Sequence, residues 1–475
     1  MTRGTVAAVP RAGLPPLSHI PSIQAEQRNA TTPPAAAPAP TAHASGPFIS
    51  CAFALLWAGQ SVSNLGDWVF NTTLMLWIAL GLGHNQSWAP AAVSGVLIAR
   101  FVPTILVGPL GGVFVDRWDK RRTLLWADAL RALLIALLAP VAVLVALPLA
   151  WRLGAVYGVV VLTTLCAQFF DPARLALIGD VVAEPDRQRA SGLEQVTMSL
   201  ALVVGPALAA PLYVALGAHW AILADALSFV VSFLLVLRLR APHVAGEDVS
   251  SERSQAGREF AAGLRVITGN RVLRTLFVAA ILTLLGFGSI NALDIFFATG
   301  TLHVPAALYG VLEGSLGAGL LAGAIAGGLY AGRLGLTRVL WLSLVAVGLL
   351  VLVYARLTSF GPALLVLFLG GIPNGTFNVV INPLLLQVTP RAFVGRVSAV
   401  LMTVMSVAAL LSIVVSGLLD STVLHGFHAH LFGVNVGPID TIFSAAGLLG
   451  VAGGFYAFLN LRHVPITQHT EDNVA

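Results

Sequence analysis

The chain has 475 residues, 57% of them hydrophobic and 10% charged, with a formal charge of +5 and a mean hydropathy of +0.87. So little charge excludes a water-soluble domain of this length. Apolar runs of about 20 residues without apolar/polar alternation exclude a membrane barrel, whose strands need about 9–11 alternating residues. An all-α polytopic membrane protein remains, because within lipid a helix satisfies its own backbone.

In chain order, residues 1–47 are rich in Ala, Pro, Ser and Thr and hold no apolar stretch fit for a signal sequence. They read as a disordered cytoplasmic tail that the mature protein keeps. Six predicted spans follow at about 51–81, 90–115, 123–147, 154–180, 190–216 and 219–238, making an N-terminal bundle over 48–238. A polar stretch, 239–270, reads as a cytoplasmic linker. Six more spans at about 271–299, 305–332, 338–356, 361–388, 397–420 and 438–461 make a C-terminal bundle over 271–462, and 463–475 form a second cytoplasmic tail. Cys51 and Cys166 fall inside spans as small hydrophobes, which argues against a structural disulfide.

Lysine and arginine orient the chain. With residue 1 in the cytoplasm, 21 of the 26 Lys and Arg lie on the cytoplasmic side and two, Arg152 and Arg356, lie outside; Arg100, Arg131 and Arg174 lie within spans. Both termini are therefore expected inside. The basic excess follows from topology, so no nucleic-acid partner is expected.

Two features repeat at about half the chain length. The turn Gly112-Val-Phe-Val-Asp116-Arg117-Trp-Asp119-Lys120-Arg121-Arg122 has a weaker copy at Gly328-Leu-Tyr-Ala-Gly332-Arg333-Leu-Gly335, 216 residues on. Likewise Pro185-Asp-Arg187-Gln-Arg189-Ala-Ser, after the fourth span, is matched by Pro390-Arg391 and Gly395-Arg396-Val-Ser398 after the tenth. Two six-helix repeats joined by a long cytoplasmic loop form a common secondary-transporter layout, with substrate bound near mid-membrane between the halves.

These residues resemble the major facilitator superfamily. Gly112, Asp116, Arg117, Lys120 and Arg121 match its charged turn between the second and third helices, with Asp119 in place of the second glycine. Gly205-Pro206 is similar to the Gly-Pro motif associated with its antiporters, although the trailing glycines are alanines. Gly66-Asp67, Ala99-Arg100-Phe-Val-Pro103, Phe170-Asp171-Pro-Ala-Arg174 and Gly395-Arg396-Val397 look like the branch that holds macrolide-efflux proteins and the enterobactin exporter. Over residues 48–462 the resemblance implies twelve helices in two six-helix pseudo-repeats. It implies proton-coupled export of a small drug-like, macrolide or siderophore-like molecule by alternating access. It also implies that the charged turn, with Gly205, Pro206, Gly328 and Arg333, acts as a conformational gate that holds the cytoplasmic side closed.

A charge at the bilayer centre costs about 2.5–3.5 kcal/mol, so buried charges must pair or face a cavity. Asp67 and Arg100 fall near the midplane, at depths that permit an ion pair; Asp67 reads as a proton switch or as half of a fixed structural pair. Asp171 and Arg174 share a face of the fourth span, as an inner gate or as local self-neutralisation. Asp294, Glu313 and Asp225 read as proton carriers or as solvated helix ends. Asp128 and Arg131 read as a structural pair against the charged turn. Asn374, Asn378 and Asn382 line one face of the tenth span, and amides with Trp57, Trp68 and Phe70 suit a bulky amphipathic ligand. His425, His428 and His430 lack an accompanying carboxylate or thiol, and no metal or cofactor is expected.

Other classes fit poorly. Lys120 is the only lysine and no Gly-x-x-x-x-Gly-Lys-Ser/Thr occurs, so this chain cannot supply the phosphate loop of an ATP-driven pump. No His-Glu-x-x-His or Gly-x-Ser-x-Gly occurs, and the short central loop holds no recognisable signalling domain. The competing reading is an uptake permease or uniporter of the same fold. The expected partners are a small-molecule substrate, protons and the bilayer, with the protein acting as a monomer.

Overall fold

The computed structural model describes residues 49–84, 86–115, 118–239, 256–390, 393–424, 429–431 and 434–462. Both predicted tails, half of the linker, Asp116, Arg117, His425 and His428 lie outside the described residues. Twelve helices are long and apolar enough to cross a membrane. The first six are α1 (Cys51–Leu76), α2 (Ala89–Val115), α3 (Lys120–Val143), α4 (Leu149–Val181), α5 (Arg187–Leu216) and α6 (Ala218–Leu237). The last six are α8 (Arg271–Phe296), α9 (Ala306–Leu334), α10 (Leu336–Tyr354), α11 (Phe360–Val388), α12 (Val394–Leu418) and α13 (Pro438–Leu461). Between the sets lies a helix that the sequence reading left within the polar linker, α7 (Ala256–Gly269). Two three-residue strands, Ala429–Leu431 and Val434–Val436, pair antiparallel before α13.

The helices begin where the chemistry of their first residues directs. Ser50 caps α1 by accepting from the Phe53 N–H at 3.0 Å, and its hydroxyl also donates to the Val181 carbonyl at the end of α4 at 3.2 Å. Asn270 does the same one repeat later. Its side-chain oxygen accepts from Val272 and Leu273 at the start of α8, and its amide donates to Val388 at the end of α11 at 3.2 Å. An orphan N–H of one helix and a terminal carbonyl of another are thus satisfied by one polar residue at matching places in both halves. Asp119 caps α3, accepting from the Arg122 N–H at 2.7 Å; this is why an acidic residue replaces glycine there. The second copy of the turn has no such cap and reverses at Gly335, whose φ of +84° favours glycine.

Packing repeats as well. In the first half α1 packs on α5 and α6, α3 on α4 and α6, and α2 on α4; in the second, α8 packs on α12 and α13, α10 on α11 and α13, and α9 on α11. α1 and α8, both 26 residues long, each run on into a π-helical turn, at Trp77–Leu82 and Phe297–Thr301. α7 packs on α8 and α12 with Ile267 buried among Val397 and Val400, which anchors this helix to the second bundle.

The two bundles meet through α5 against α9 and α2 against α12. Both contacts lie away from the face that carries the basic turns, here called the basic face. The Ala91 N–H donates to Ser421 Oγ at 3.1 Å, and a β-carbon added to Gly417 would strike Ser94. Nearer the basic face, Arg100, Thr104 and Asp171 are exposed. The bundles are therefore closed on one side and parted on the other.

Candidate functional site

The space between the bundles is a cavity of 630 Å³ that joins a second of 300 Å³; Trp68, Phe287, Asn291 and Glu313 line both. The first volume lies within the about 300–1,000 Å³ of small-ligand sites. Aromatic rings (Trp68, Phe101, Phe287) and amides (Asn71, Gln168, Asn291) share its wall, which suits a ligand with an apolar body and a few polar groups.

Four charged side chains of the first bundle face this space: Asp67 from α1, Arg100 from α2, Arg131 from α3 and Asp171 from α4. Asp67 lies within electrostatic reach of the other three. The ion pair that the positions of Asp67 and Arg100 would permit is not closed: among the described residues the two salt bridges within 4.0 Å are Lys120–Asp180 and Arg174–Glu194. Both groups line the cavity, and no bridge within 4.0 Å joins them across it.

The sequence reading also needs correction at Arg131. It sits three turns into α3 on the cavity wall, not against the charged turn. Its guanidinium lies 5.3 Å from the Phe170 ring centre and 5.0 Å from that of Phe229, and Nε donates to the Thr163 carbonyl at 3.4 Å. Asp128 bonds instead to Ser232 of α6, whose hydroxyl donates to Oδ2 at 2.7 Å. The expected sharing between Asp171 and Arg174 is absent too. Asp171 faces the cavity, whereas Arg174 turns to Glu194 of α5, a partner that the sequence reading missed. Asp225 is no solvated helix end; it is fully buried in α6 and accepts from Ser228. Trp57 is absent from the cavity wall, its indole donating to Thr197 at 3.0 Å. Asn374 lines the second cavity, and exposed Asn378 donates to the Asn374 carbonyl at 3.1 Å.

The second bundle contributes one carboxylate to the cavity wall. Glu313 of α9 accepts from Tyr309, one turn earlier, at 3.0 Å (Oε1) and from Thr72 of α1 at 3.1 Å (Oε2). The Thr72 bond crosses between the bundles. Asp294 of α8 lies behind this point, buried, and accepts from the Tyr354 hydroxyl at 2.7 Å. Tyr354 packs at a tilt against Phe297, stacks on Phe443 and reaches the second cavity.

The motif residues divide by role. Gly205 lets α5 lie on Trp68 of α1. At the closed contact between the bundles, a β-carbon on Gly310 of α9 would overlap the Pro206 carbonyl. In the charged turn, Lys120 pairs with Asp180 of α4 at 2.8 Å and Arg121 donates to the carbonyls of Val236 and Leu237 that end α6. The surroundings of Gly112 lie outside the described side chains. In the second copy, Gly328 faces open space and Arg333 is exposed, with no ion pair among the described residues.

Twelve membrane-crossing helices in two matched bundles around a central cavity define a multi-pass membrane transporter. The chain belongs to the Major Facilitator Superfamily, whose family model matches residues 56–413. It is 29% identical over 241 residues to macrolide efflux protein A of Streptococcus pyogenes, covering 51% of this chain and 57% of that protein. The chain thus spans little more than half the length of this relative. A longer match, 25% identical over 377 residues, covers 77% of the chain and 85% of the MFS-type transporter YfiS of Bacillus subtilis (strain 168). Among solved structures, an inward-facing bacterial homologue of the iron transporter ferroportin has a TM-score of 0.67 at 16% identity, covering 86% of this chain and 98% of that one. At that identity the likeness is one of fold.

Proposed function

We propose that the chain exports a small amphipathic organic molecule across the cell membrane in exchange for protons, by alternating access of the cavity between its bundles. The carrying observation is the position of Glu313: a carboxylate on the cavity wall of one bundle, held by a hydroxyl of the other. Loading or unloading this group with a proton changes what Thr72 is bonded to, and so changes contact between the parts that must move. Such coupling links a bound ion to the equilibrium between two conformations. The basic face is assigned to the cytoplasm by its excess of Lys and Arg, which makes the described conformation open to the inside. Export rather than uptake draws support from the similarity to a macrolide efflux protein. The membrane potential supplies about 2.3 kcal/mol per charge per 100 mV.

The test is uptake of a ligand panel, macrolides included, into inverted vesicles holding the protein. Accumulation that needs an imposed proton gradient and collapses with an uncoupler is expected. Accumulation indifferent to the uncoupler, or movement only out of such vesicles, would replace this reading with a uniporter or an uptake permease.

A further inference from the structure

The first turn of α3 carries three consecutive cations, Lys120, Arg121 and Arg122, and the structure divides them. Lys120 is held by Asp180 and Arg121 by the end of α6. The Arg122 side chain is exposed and has no partner among the described residues; it lines a third cavity of 860 Å³. This cavity is unlike the central chamber. It lies on the outside of the first bundle between α3 and α4, and its other walls are almost wholly apolar: Trp118, Trp126, Leu130 and Leu133 beside Phe169 and Cys166. Trp126 is 76% exposed and Leu133 56% exposed, so the groove faces whatever surrounds the bundle.

Its proportions match one leaflet. From Arg122 to Leu133 is eleven residues, about 16 Å at 1.5 Å per residue, and half of a hydrocarbon core of about 30 Å is about 15 Å. Charge stands at the end where head groups lie, tryptophans flank that level, and leucines continue below it. Interfacial tryptophan is the usual marker of head-group depth. Asp119 also lines the groove, but one carboxylate oxygen is engaged in capping the α3 backbone. A guanidinium offers several donors to a phosphate.

We propose that this groove is a binding site for one anionic phospholipid, its phosphate on Arg122 and an acyl chain laid along Trp126, Leu130 and Leu133. A zwitterionic lipid with the same chains binds there more weakly. The test is native mass spectrometry of the purified full chain titrated with phosphatidylglycerol or phosphatidylcholine of identical chains. Wild type is expected to retain phosphatidylglycerol preferentially. Arg122→Gln is expected to lower that retention about fivefold, the factor equivalent to the roughly 1 kcal/mol that one Lys or Arg contributes near an anionic surface. Arg122→Lys is expected to keep most of it. Ala129→Trp, which fills the groove without touching the charge, is expected to lower retention of both lipids. Quenching of tryptophan fluorescence by brominated phosphatidylglycerol provides a second reading on the same variants. Equal retention of the two lipids by wild type would overturn the proposal. So would undiminished phosphatidylglycerol on Arg122→Gln, or a change of these variants from dimer to monomer with lipid unchanged, which would assign the groove to a second copy.

Discussion

The two walls of the central cavity solve the problem of charge in a membrane differently. The first bundle presents two acids and two bases, Asp67, Asp171, Arg100 and Arg131, whose charges offset one another across the cavity. The second presents one acid, Glu313, whose bonded neighbours Tyr309 and Thr72 are neutral hydroxyls. A balanced set can keep its charges through a whole transport cycle. A lone carboxylate must find its partner in a proton or a cationic ligand, since an unpaired charge in this setting is expensive. Under the proposed proton-coupled export, the first wall serves as a fixed electrostatic frame and the second as the exchangeable site.

That comparison can be broken or sharpened by substitution. The largest effect is expected from Glu313→Gln, which keeps the side chain's size and one of its two acceptor oxygens but cannot exchange a proton. Gradient-driven transport in vesicles should fall to that of empty vesicles while the protein purifies normally. Next is Arg131→Leu. Arg131 is 8% exposed, and its removal leaves Asp67 with a weaker counter-charge in a partly desolvated site. A stability loss of about 2 kcal/mol, the scale of a desolvated cation–π contact such as those with Phe170 and Phe229, is expected in mixed-micelle denaturation. A loss below 1 kcal/mol would remove Arg131 from the frame. Tyr309→Phe deletes one hydroxyl from Glu313 and should cost about 1 kcal/mol, with transport slowed but still sensitive to an uncoupler. The smallest effects separate the two copies of the charged turn. Lys120→Ala should cost no more than about 1 kcal/mol, because its bridge to Asp180 is partly solvated. Arg333→Ala should stay within about 0.5 kcal/mol of wild type. Equal costs would mean that the second turn is also built as a clamp.

The twelve helices and their pairing into halves were legible in the sequence, because hydropathy and helix length are local properties. Placement was legible in part: Asp67, Arg100 and Asp171 all line the cavity. Partners were less so. Glu194 lies 20 residues from Arg174, Asp180 lies 60 from Lys120, and Ser232 lies 104 from Asp128. Which of two acids an arginine meets depends on the rotation of each helix about its axis, and uniformly apolar helices give little sign of that rotation. Arg131 and Asp128 show this: three residues apart, they turn to different partners, the Phe170 and Phe229 rings and Ser232. The linker helix α7 was overlooked because it is short and polar on one side. The cap at Asp119 was readable, since an acidic residue just before a basic first turn is a helix start.

The central claim is that Glu313, rather than Asp67, is the group that takes up and releases the proton. Infrared difference spectroscopy of the purified protein on a pH jump reads it directly, through the carbonyl band of a protonated carboxyl group. That band is expected in wild type and in Asp67→Asn and is expected to vanish in Glu313→Gln. A band that persists in Glu313→Gln and disappears in Asp67→Asn would contradict the account.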